Sequence, residues 1–310
     1  MDGGPKKYIM IFERNFISKF KESLSEKVNL SNYSWFNLGG NADFFFKPRD
    51  ISHLKEFLKE ANKKNINITI IGAGSNILFR DKGVRGVVIK LGKQFSFIKK
   101  IGEDILEVGA ATLDRKVANF AMENNLKNLE FLSCIPGSIG GAVIMNTGCY
   151  GSDISKVLIS INVFDKKRMI EKEIKKEDIK FFYRGTNLPD DLIILSAKLK
   201  GVKGDKSEIK KTQNDLIERK KISQPSQIKT CGSTFKNIDN QKKAWILIKE
   251  AGCNNYKVGD AEISKKHCNF FVNNGKAKSE DIENLVKKVQ KRVHVKTGIN
   301  LELEIKILGE

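Results

Sequence analysis

Two segments of the sequence are nearly stripped of side chains, and their composition suits the binding of an anion. The first reads "GAGSNILFRDKG", from Gly72 to Gly83, and the second, residues 132–153, reads "LSCIPGSIGGAVIMNTGCYGSD". Backbone N–H groups that no side chain screens can cradle a phosphate, and Ser75 and Asn76 add side-chain donors. Tight turns and close helix packing would require the same glycines. Two such segments on adjacent α/β lobes nevertheless favour a bound dinucleotide.

The residues expected to contact this cofactor come from both segments. They are Gly72, Ala73, Gly74, Ser75, Asn76, Gly137, Ser138, Gly140 and Gly141. The first segment is not a Rossmann fingerprint, because its third glycine is missing and the chain soon returns to a strand at "RGVVIKL". It also lacks a Walker lysine. The sequence therefore predicts a phosphate ligand held by another fold.

The formal net charge of +19 admits two interpretations. A basic protein gains affinity for nucleic acid by releasing counterions, so an RNA-binding protein is one alternative. The lysines, however, occur in short pairs interrupted by acids, without the regularly spaced aromatic residues of a single-strand binder. We therefore favour a solvated, lysine-rich surface and expect no nucleic-acid partner. The same field would attract a small anionic substrate.

The positions of the cysteines and the lengths of the apolar runs indicate the cellular compartment of the protein. The five cysteines are scattered without a CxxC pair, and the three histidines do not cluster with them. This pattern indicates reduced thiols in the cytoplasm and no metal site. No apolar run approaches the roughly 20 residues of a membrane helix, and the N-terminus does not resemble a signal peptide. We expect a cytoplasmic protein without a membrane partner.

Periodicity predicts three structured regions after an N-terminal tail or helix. Asp50 is the expected N-cap of the helix "ISHLKEFLKEANKKN", which lies before the strands "NITIIGAG" and "RGVVIKL". The strands "DILEVGA", "LISINVF" and "LIILSAKLK" and the helix "LDRKVANFAMENN" form a second lobe. A polar linker with a helical centre, stopped by "QP", leads to a third region with a helix capped by Ser279. The predicted boundaries are 1–28, 29–92, 93–204 and 205–310.

The C-terminal "LELEIKI" alternates between apolar and charged residues, which predicts a half-buried strand. Alternation places Glu302 and Glu304 on the same charged face. It does not select the one that faces a site.

Seven motifs, which occur in a fixed order along the chain, resemble those of a known protein family. They are "NYSWFNLGGNA", "IGAGSNILFRDKG", "LEFLSCIPGSIGGAVIMNTGCYG", "FFYRG", "CGSTFKN", "AGCNNYKVGDAEISKKHCNFFVN" and "LELEIKILG". From about residue 29 to its C-terminus, the chain resembles the UDP-N-acetylenolpyruvoylglucosamine reductases, flavoenzymes that complete UDP-N-acetylmuramate for peptidoglycan.

The resemblance implies an α+β protein. Its FAD-binding fold of the vanillyl-alcohol-oxidase type, built from two α/β lobes, would be followed by a C-terminal substrate domain. Several relatives of this fold attach the flavin through histidine. Because His53, His267 and His294 lie outside both glycine segments, we expect non-covalent FAD. NADPH would be the reductant, UDP-N-acetylglucosamine enolpyruvate the substrate, and the enzyme a cytoplasmic monomer serving cell-wall synthesis, cell shape and division.

The resemblance also assigns roles to three residues in the reduction of the enolpyruvyl double bond. After hydride transfer from flavin N5 to the β-carbon, Ser233 of "CGSTFKN" would protonate the α-carbon. Arg184 of "FFYRG" and Glu304 would stabilise the enolate. Matching the family ending selects Glu304, with Glu302 as the alternative. Without the resemblance, Ser233 would be interpreted as a turn residue and Arg184 as a surface charge.

Substrate contacts carried over from the family are Tyr150, Lys221, Lys236 and Asn237. The short interval between Arg184 and Ser233 resembles the family form that lacks a substrate-gating insertion. An oxidase or dehydrogenase on the same flavin fold is the alternative within enzymes.

Overall fold

The structure, a computed structural model, describes residues 14–239 and 242–310. The helices in this part of the chain are α1 Arg14–Phe20, α2 Ile51–Lys63, α3 Asp114–Glu123, α4 Ile139–Ile144, α5 Ile154–Val157, α6 Lys206–Ser223, α7 Ala244–Glu250 and α8 Ser279–Thr297. The strands are β1 Leu24–Asn29, β2 Asn41–Phe46, β3 Ile68–Ile71, β4 Ile77–Phe79, β5 Val84–Lys90, β6 Ile98–Lys100, β7 Ile105–Gly109, β8 Leu126–Lys127, β9 Gly148–Cys149, β10 Ser152–Asp153, β11 Leu158–Asp165, β12 Ile170–Lys175, β13 Phe181–Phe182, β14 Gly185–Thr186, β15 Leu192–Lys200, β16 Val202–Lys203, β17 Lys257–Val258, β18 Ala261–Ile263, β19 Phe271–Asn273 and β20 Lys306–Leu308.

The chain forms two compact units, each assembled from three stretches. The first unit comprises the described part of Met1–Ser25, then Phe44–Ala73 and Gly86–Lys220. The second unit comprises Glu26–Asp43, Gly74–Arg85 and Lys221–Glu310. The first 28 residues therefore include a helix, α1, and the start of β1, whereas residues 1–13 lie outside the described part. The domain boundaries proposed from the sequence stay a prediction.

Helix α2 begins where the sequence predicts. The side chain of Asp50 accepts a hydrogen bond of 2.8 Å from the backbone N–H of His53, so it caps one of the four N–H groups that a helix leaves unpaired. The apolar stripe of the helix is buried and includes Leu54 and Phe57. The ring of Phe57 stacks on Phe46 of β2 with centroids 3.8 Å apart. This packing fixes α2 beside the sheet.

A parallel pair of strands leads into the first glycine segment. Strand β3 pairs in parallel with β5, with Ile68 opposite Val87. The short strand β4 follows the segment without an intervening helix. The expectation that "GAGSN" does not open a Rossmann helix is thus confirmed.

The second sheet of the first unit is antiparallel. Its strand order is β12-β11-β15-β7-β6, and it contains all three strands predicted for the second lobe. The apolar face of α3 and the turns around the second glycine segment bury a common core with this sheet. The predicted linker contains the long helix α6, which ends at Ser223, directly before "QP".

The second unit buries α7 and α8 against the three strands β17-β18-β19. Helix α8 corrects one prediction, because Ser279 is its first residue and not its cap. Asp81 accepts hydrogen bonds from the N–H groups of Ser279 and Glu280, at 2.9 and 3.0 Å. The hydroxyl of Ser279 instead donates to the carbonyl of Phe79 at 2.5 Å. The N-cap is Lys278, and an acid that is distant in sequence accepts the next two N–H groups of the helix.

The C-terminal segment is less regular than predicted. Only β20 is a regular strand, and it pairs in parallel with β4. Before it, Leu303 forms a single β-bridge with Phe235. The alternation still describes burial, since Leu301 and Ile305 are buried whereas Glu302 is exposed. The prediction of one continuous strand is wrong because residues 301–305 pair with a loop and not with a neighbouring strand.

Candidate active site

The start of the first glycine segment, at Gly72, approaches the second segment within the first unit. A Cβ atom added at Gly72 would lie 2.8 Å from the hydroxyl oxygen of Ser138. The amine of Lys90, at the end of β5, donates to the carbonyl of Gly72 at 2.5 Å. Burial lowers the pKa of Lys90, and the nearby charge of Lys47 adds to the effect. The start of the first segment therefore lies beside a partly desolvated cation.

Packing accounts for some of the glycines. At Gly74, φ is +74°, and a Cβ atom would lie 1.8 Å from the carbonyl oxygen of Tyr33. A Cβ atom at Gly140 would lie 3.1 Å from that of Ala110. Gly141 differs, because it is exposed and the nearest atom to its Cβ position is the Ser138 hydroxyl oxygen, at 4.0 Å. Protein packing does not require a bare backbone at Gly141.

The second segment is held by its backbone. The N–H of Asp114 donates to the carbonyl of Gly137 at 3.2 Å, and the N–H of Ile139 donates to Thr112 at 3.0 Å. The N–H of Gly140 donates to Ala110 at 2.9 Å. These bonds use the carbonyl of Gly137 and two N–H groups, and they fix the path of the segment.

Other N–H groups of the two segments lack a protein acceptor. Among the described residues, no hydrogen bond is donated by the backbone N–H groups of Ala73, Gly74, Ser75, Gly137, Ser138 and Gly141. Backbone N–H groups without an acceptor are costly when buried and are common where an anion binds. Within the first unit, Ala73, Gly137, Ser138 and Gly141 thus provide donors of the kind that a diphosphate needs.

Asp114, which the sequence did not single out, is the least expected group near the second glycine segment. It is fully buried at the start of α3, and neither carboxyl oxygen has a hydrogen-bond partner among the described residues. A Cβ atom at Gly137 would lie 2.6 Å from its Oδ2. Burial raises the pKa of Asp114 well above its usual range, since a charge there would be desolvated and unpaired. The sequence shows only an acid in the first turn of a helix.

Arg184 lies at the turn between β13 and β14, in the first unit. Its φ of +58° is in the left-handed region, which is uncommon for a residue with a side chain. Its guanidinium lies over the ring of Tyr183, 5.0 Å from the centroid, and the Tyr183 ring is itself exposed. Backbone strain of this kind often marks a functional position.

Ser233 and Glu304 belong to neighbouring segments of the second unit. Ser233 forms a β-bridge with Phe270, and the adjacent Thr234 accepts a 2.9 Å hydrogen bond from the N–H of Glu304. The side-chain amide of Asn76 donates to the carbonyl of Glu304 at 2.9 Å. Within the second unit, the structure therefore links the serine motif, the C-terminal acid and Asn76 of the first glycine segment.

The two candidate glutamates have different surroundings. The side chain of Glu302 is 75% exposed and pairs with Lys236 at 3.4 Å. Glu304 is half-buried. Of the pair that alternation left open, Glu304 is the more enclosed acid.

The predicted substrate residues are distributed over both units. Tyr150, in the first unit, has a φ of +52° and is exposed in the turn between β9 and β10. Lys221 is exposed in the second unit, and its carbonyl accepts a 2.5 Å hydrogen bond from Lys266. The amide oxygen of Asn237 accepts from the N–H of Ala244 at 3.1 Å, which anchors the start of α7.

Within residues 14–239 and 242–310, no helix is both long enough and apolar enough to cross a bilayer, and no group of three His, Cys, Asp or Glu side chains could hold a metal ion.

Comparison with known proteins identifies both parts of the chain. A family model described as an FAD-binding domain matches residues 42–169, and one described as the C-terminal domain of UDP-N-acetylenolpyruvoylglucosamine reductase matches residues 224–308. The α+β fold predicted from the sequence, with its FAD-binding part followed by a separate C-terminal part, is confirmed.

Relatives of full length share this organisation. The chain is 45% identical to the UDP-N-acetylenolpyruvoylglucosamine reductase of Pelagibacter ubique over 94% of its length and 98% of the relative, and 42% identical to that of a Wolbachia from Drosophila simulans over 91% and 94%. The crystal structure of the Thermus caldophilus reductase superposes with a TM-score of 0.80 at 32% identity, covering 92% of this chain and 98% of that one.

Proposed function

The chain belongs to the UDP-N-acetylenolpyruvoylglucosamine reductase family and is an FAD-dependent oxidoreductase, and from this premise we propose the reaction that it catalyses. Its substrate is UDP-N-acetylglucosamine enolpyruvate, its reductant is NADPH, and its product is UDP-N-acetylmuramate for peptidoglycan. The observation that carries the proposal is the similarity to named reductases across both parts of the chain. A match to the C-terminal domain favours this reaction over that of other flavin enzymes.

The residues of the glycine segments fit FAD. In the first unit, the N–H groups of Ala73, Ser138 and Gly141 are available as donors to a diphosphate. When bound, FAD supplies hydride transfer from NADPH to the β-carbon of the enolpyruvyl group. Because histidine does not occur in either glycine segment, the cofactor is held non-covalently.

The chain's own residues would then manage the anion that hydride addition creates. Ser233 donates the proton to the α-carbon, which is basic enough to deprotonate a hydroxyl. Arg184 and Glu304 stabilise the enolate. The strained backbone at Arg184 and the enclosure of Glu304 support these roles.

Substrate binding is assigned to Tyr150, Lys221, Lys236 and Asn237, in line with the expected contacts of this family. The lysines would attract the diphosphate of the sugar nucleotide. The bond from Ala244 occupies the carbonyl of Asn237 and leaves its amide N–H groups to donate. We further propose that the enzyme acts as a cytoplasmic monomer in cell-wall synthesis and so supports cell shape and division.

Separate measurement of the two half-reactions tests this proposal. We expect Ser233→Ala to leave flavin reduction by NADPH nearly unchanged and to slow reoxidation by the enolpyruvyl substrate about 10²–10⁴-fold, the usual contribution of a positioned acid. Ser226→Ala, an exposed serine of the same unit, is the matched control and should change neither step. Equal loss in both half-reactions of Ser233→Ala would instead indicate a structural serine.

A further inference from the structure

The side chain of Lys90 places a cation at the start of the first glycine segment. Lys90 is the last residue of β5 and is half-buried, and it lies opposite Ile71 in the parallel pair of β3 and β5. Its amine donates to the carbonyl of Gly72, the next residue after Ile71. An ammonium group has three N–H donors, and this bond uses one of them.

The charge of Lys90 is not balanced by an acid. Among the described residues, Lys90 forms no ion pair, and its amine donates only to the carbonyl of Gly72. The charged residue that acts on it, Lys47, is itself a cation, and the pKa of Lys90 is lowered by burial and by this like charge. A half-buried cation beside a like charge is disfavoured unless an anion binds there. The first unit thus holds a positive charge that its own residues do not neutralise.

A hydroxyl that contacts the same glycine also lacks a partner. Ser138 is only 3% exposed, yet its hydroxyl forms no hydrogen bond among the described residues and does not cap the helix that it precedes. The hydroxyl oxygen lies 2.8 Å from the Cβ position of Gly72 and 4.0 Å from that of Gly141. The backbone N–H groups of Ala73, Ser138 and Gly141 have no acceptor either. Donors of three kinds therefore meet around Gly72 within the first unit.

We propose that Lys90 is a cofactor-binding residue, whose ammonium supplies the positive charge that neutralises the diphosphate of FAD. The part of the chain that matches the FAD-binding domain includes both Lys90 and Ser138. The diphosphate is the part of FAD that is ionised at neutral pH, whereas its two ring systems and its sugars are uncharged. Backbone N–H groups and a hydroxyl offer only partial charges, so Lys90 adds the full charge that they lack.

Titration of the apoprotein with FAD, followed by the flavin fluorescence, tests this role. We expect Lys90→Met to raise the dissociation constant of FAD about 10- to 100-fold, the usual effect of losing a hydrogen bond to a charged group. Lys93→Met, at an exposed position of the same unit, is the matched control and should bind FAD as the wild type does. Equal affinities of Lys90→Met and the wild type would overturn the proposal. The inference rests on FAD binding and not on the sugar-nucleotide reaction, so the half-reaction measurements test the proposed function separately.

Two fragments of the cofactor show which part of FAD Lys90 contacts. ADP-ribose contains the diphosphate and the adenosine without the flavin ring, whereas riboflavin contains the flavin ring without a phosphate. We expect Lys90→Met to weaken ADP-ribose, measured by competition with FAD, by the same factor as FAD itself, and to leave riboflavin binding unchanged. A loss of riboflavin affinity as large as that of FAD would contradict the assignment to the diphosphate.

Further variants separate the charge of Lys90 from its bond to Gly72. Lys90→Arg keeps the charge and should recover most of the FAD affinity, whereas Lys90→Gln keeps N–H donors without the charge and should bind as weakly as Lys90→Met. The apoprotein of Lys90→Met should melt at the wild-type temperature or above it, because a half-buried cation without a counterion has been removed. Wild-type FAD affinity in Lys90→Gln, or a melting temperature of Lys90→Met several degrees below that of the wild type, would show that Lys90 only holds Gly72 in place and would overturn the proposal.

Discussion

The unpaired carboxyl of Asp114 gives the sharpest stability prediction. Because burial raises its pKa in the folded protein, the folded state holds its proton at pH values where the unfolded state, with a pKa of about 3.9, has released it. The folded state then binds more protons than the unfolded state. The free energy of unfolding must fall as pH rises above about 4, until the folded pKa is passed.

The change in unfolding free energy with pH follows from the binding of one proton. Asp114 is fully buried and unpartnered, so nothing among the described residues offsets the desolvation of its charge. The expected loss is about 1.4 kcal/mol per pH unit within that window. Asp114→Asn removes this ionisation. The free energy of unfolding of the variant, relative to that of the wild type, should therefore rise by the same amount per pH unit.

The assay must report on the first unit. Both tryptophans, Trp35 and Trp245, lie in the second unit, so urea unfolding is followed by far-UV circular dichroism instead of tryptophan fluorescence. Curves are recorded at half-unit steps from pH 4.5 to 7.5. Asp190→Asn, at an exposed position of the same unit, is the matched control. Its free energy of unfolding should change with pH in the same way as that of the wild type. The reasoning would be wrong if the unfolding free energy of Asp114→Asn followed that of the wild type at every pH, or fell relative to it as pH rises. Either result would mean that the carboxyl of Asp114 is ionised and paired.

Three further predictions concern the two glycine segments and the packing of helix α2. Gly141→Ala should fold normally, because its Cβ position is open, but should weaken FAD binding to the apoprotein in a fluorescence titration. An unchanged affinity would show that FAD does not contact Gly141. Gly74→Ala should instead lower thermal stability, since the new Cβ would clash with the Tyr33 carbonyl at positive φ, and a normal melting temperature would refute this close approach. Phe57→Ala should cost about 3–5 kcal/mol of unfolding free energy, as for other large buried rings, and a loss below about 1 kcal/mol would contradict its stacking on Phe46.

Local signals in the sequence predicted local structure well. Asp50 caps α2 because its partner lies three residues away, and the periodic apolar face of that helix is buried as expected. The end of α6 before "QP" is likewise a steric effect between neighbours. In these cases the residues that decide the outcome all lie within one helix or directly beside its ends.

Features set by distant residues were missed or left open. Asp81 accepts the N–H groups of Ser279 and Glu280 at the start of α8, although 198 positions separate Asp81 from Ser279, and periodicity carries no information on that contact. Asp114 resembles an ordinary first-turn acid until the fold buries it. The choice between Glu302 and Glu304 also depends on which of them the tertiary structure encloses.

Anaerobic stopped-flow absorbance of the purified protein at 450 nm tests the central claim most directly. We predict a flavin band that NADPH bleaches, and that returns when UDP-N-acetylglucosamine enolpyruvate is added in the absence of oxygen. A colourless protein that does not take up FAD, or a bleached flavin that this substrate fails to reoxidise, would contradict the account.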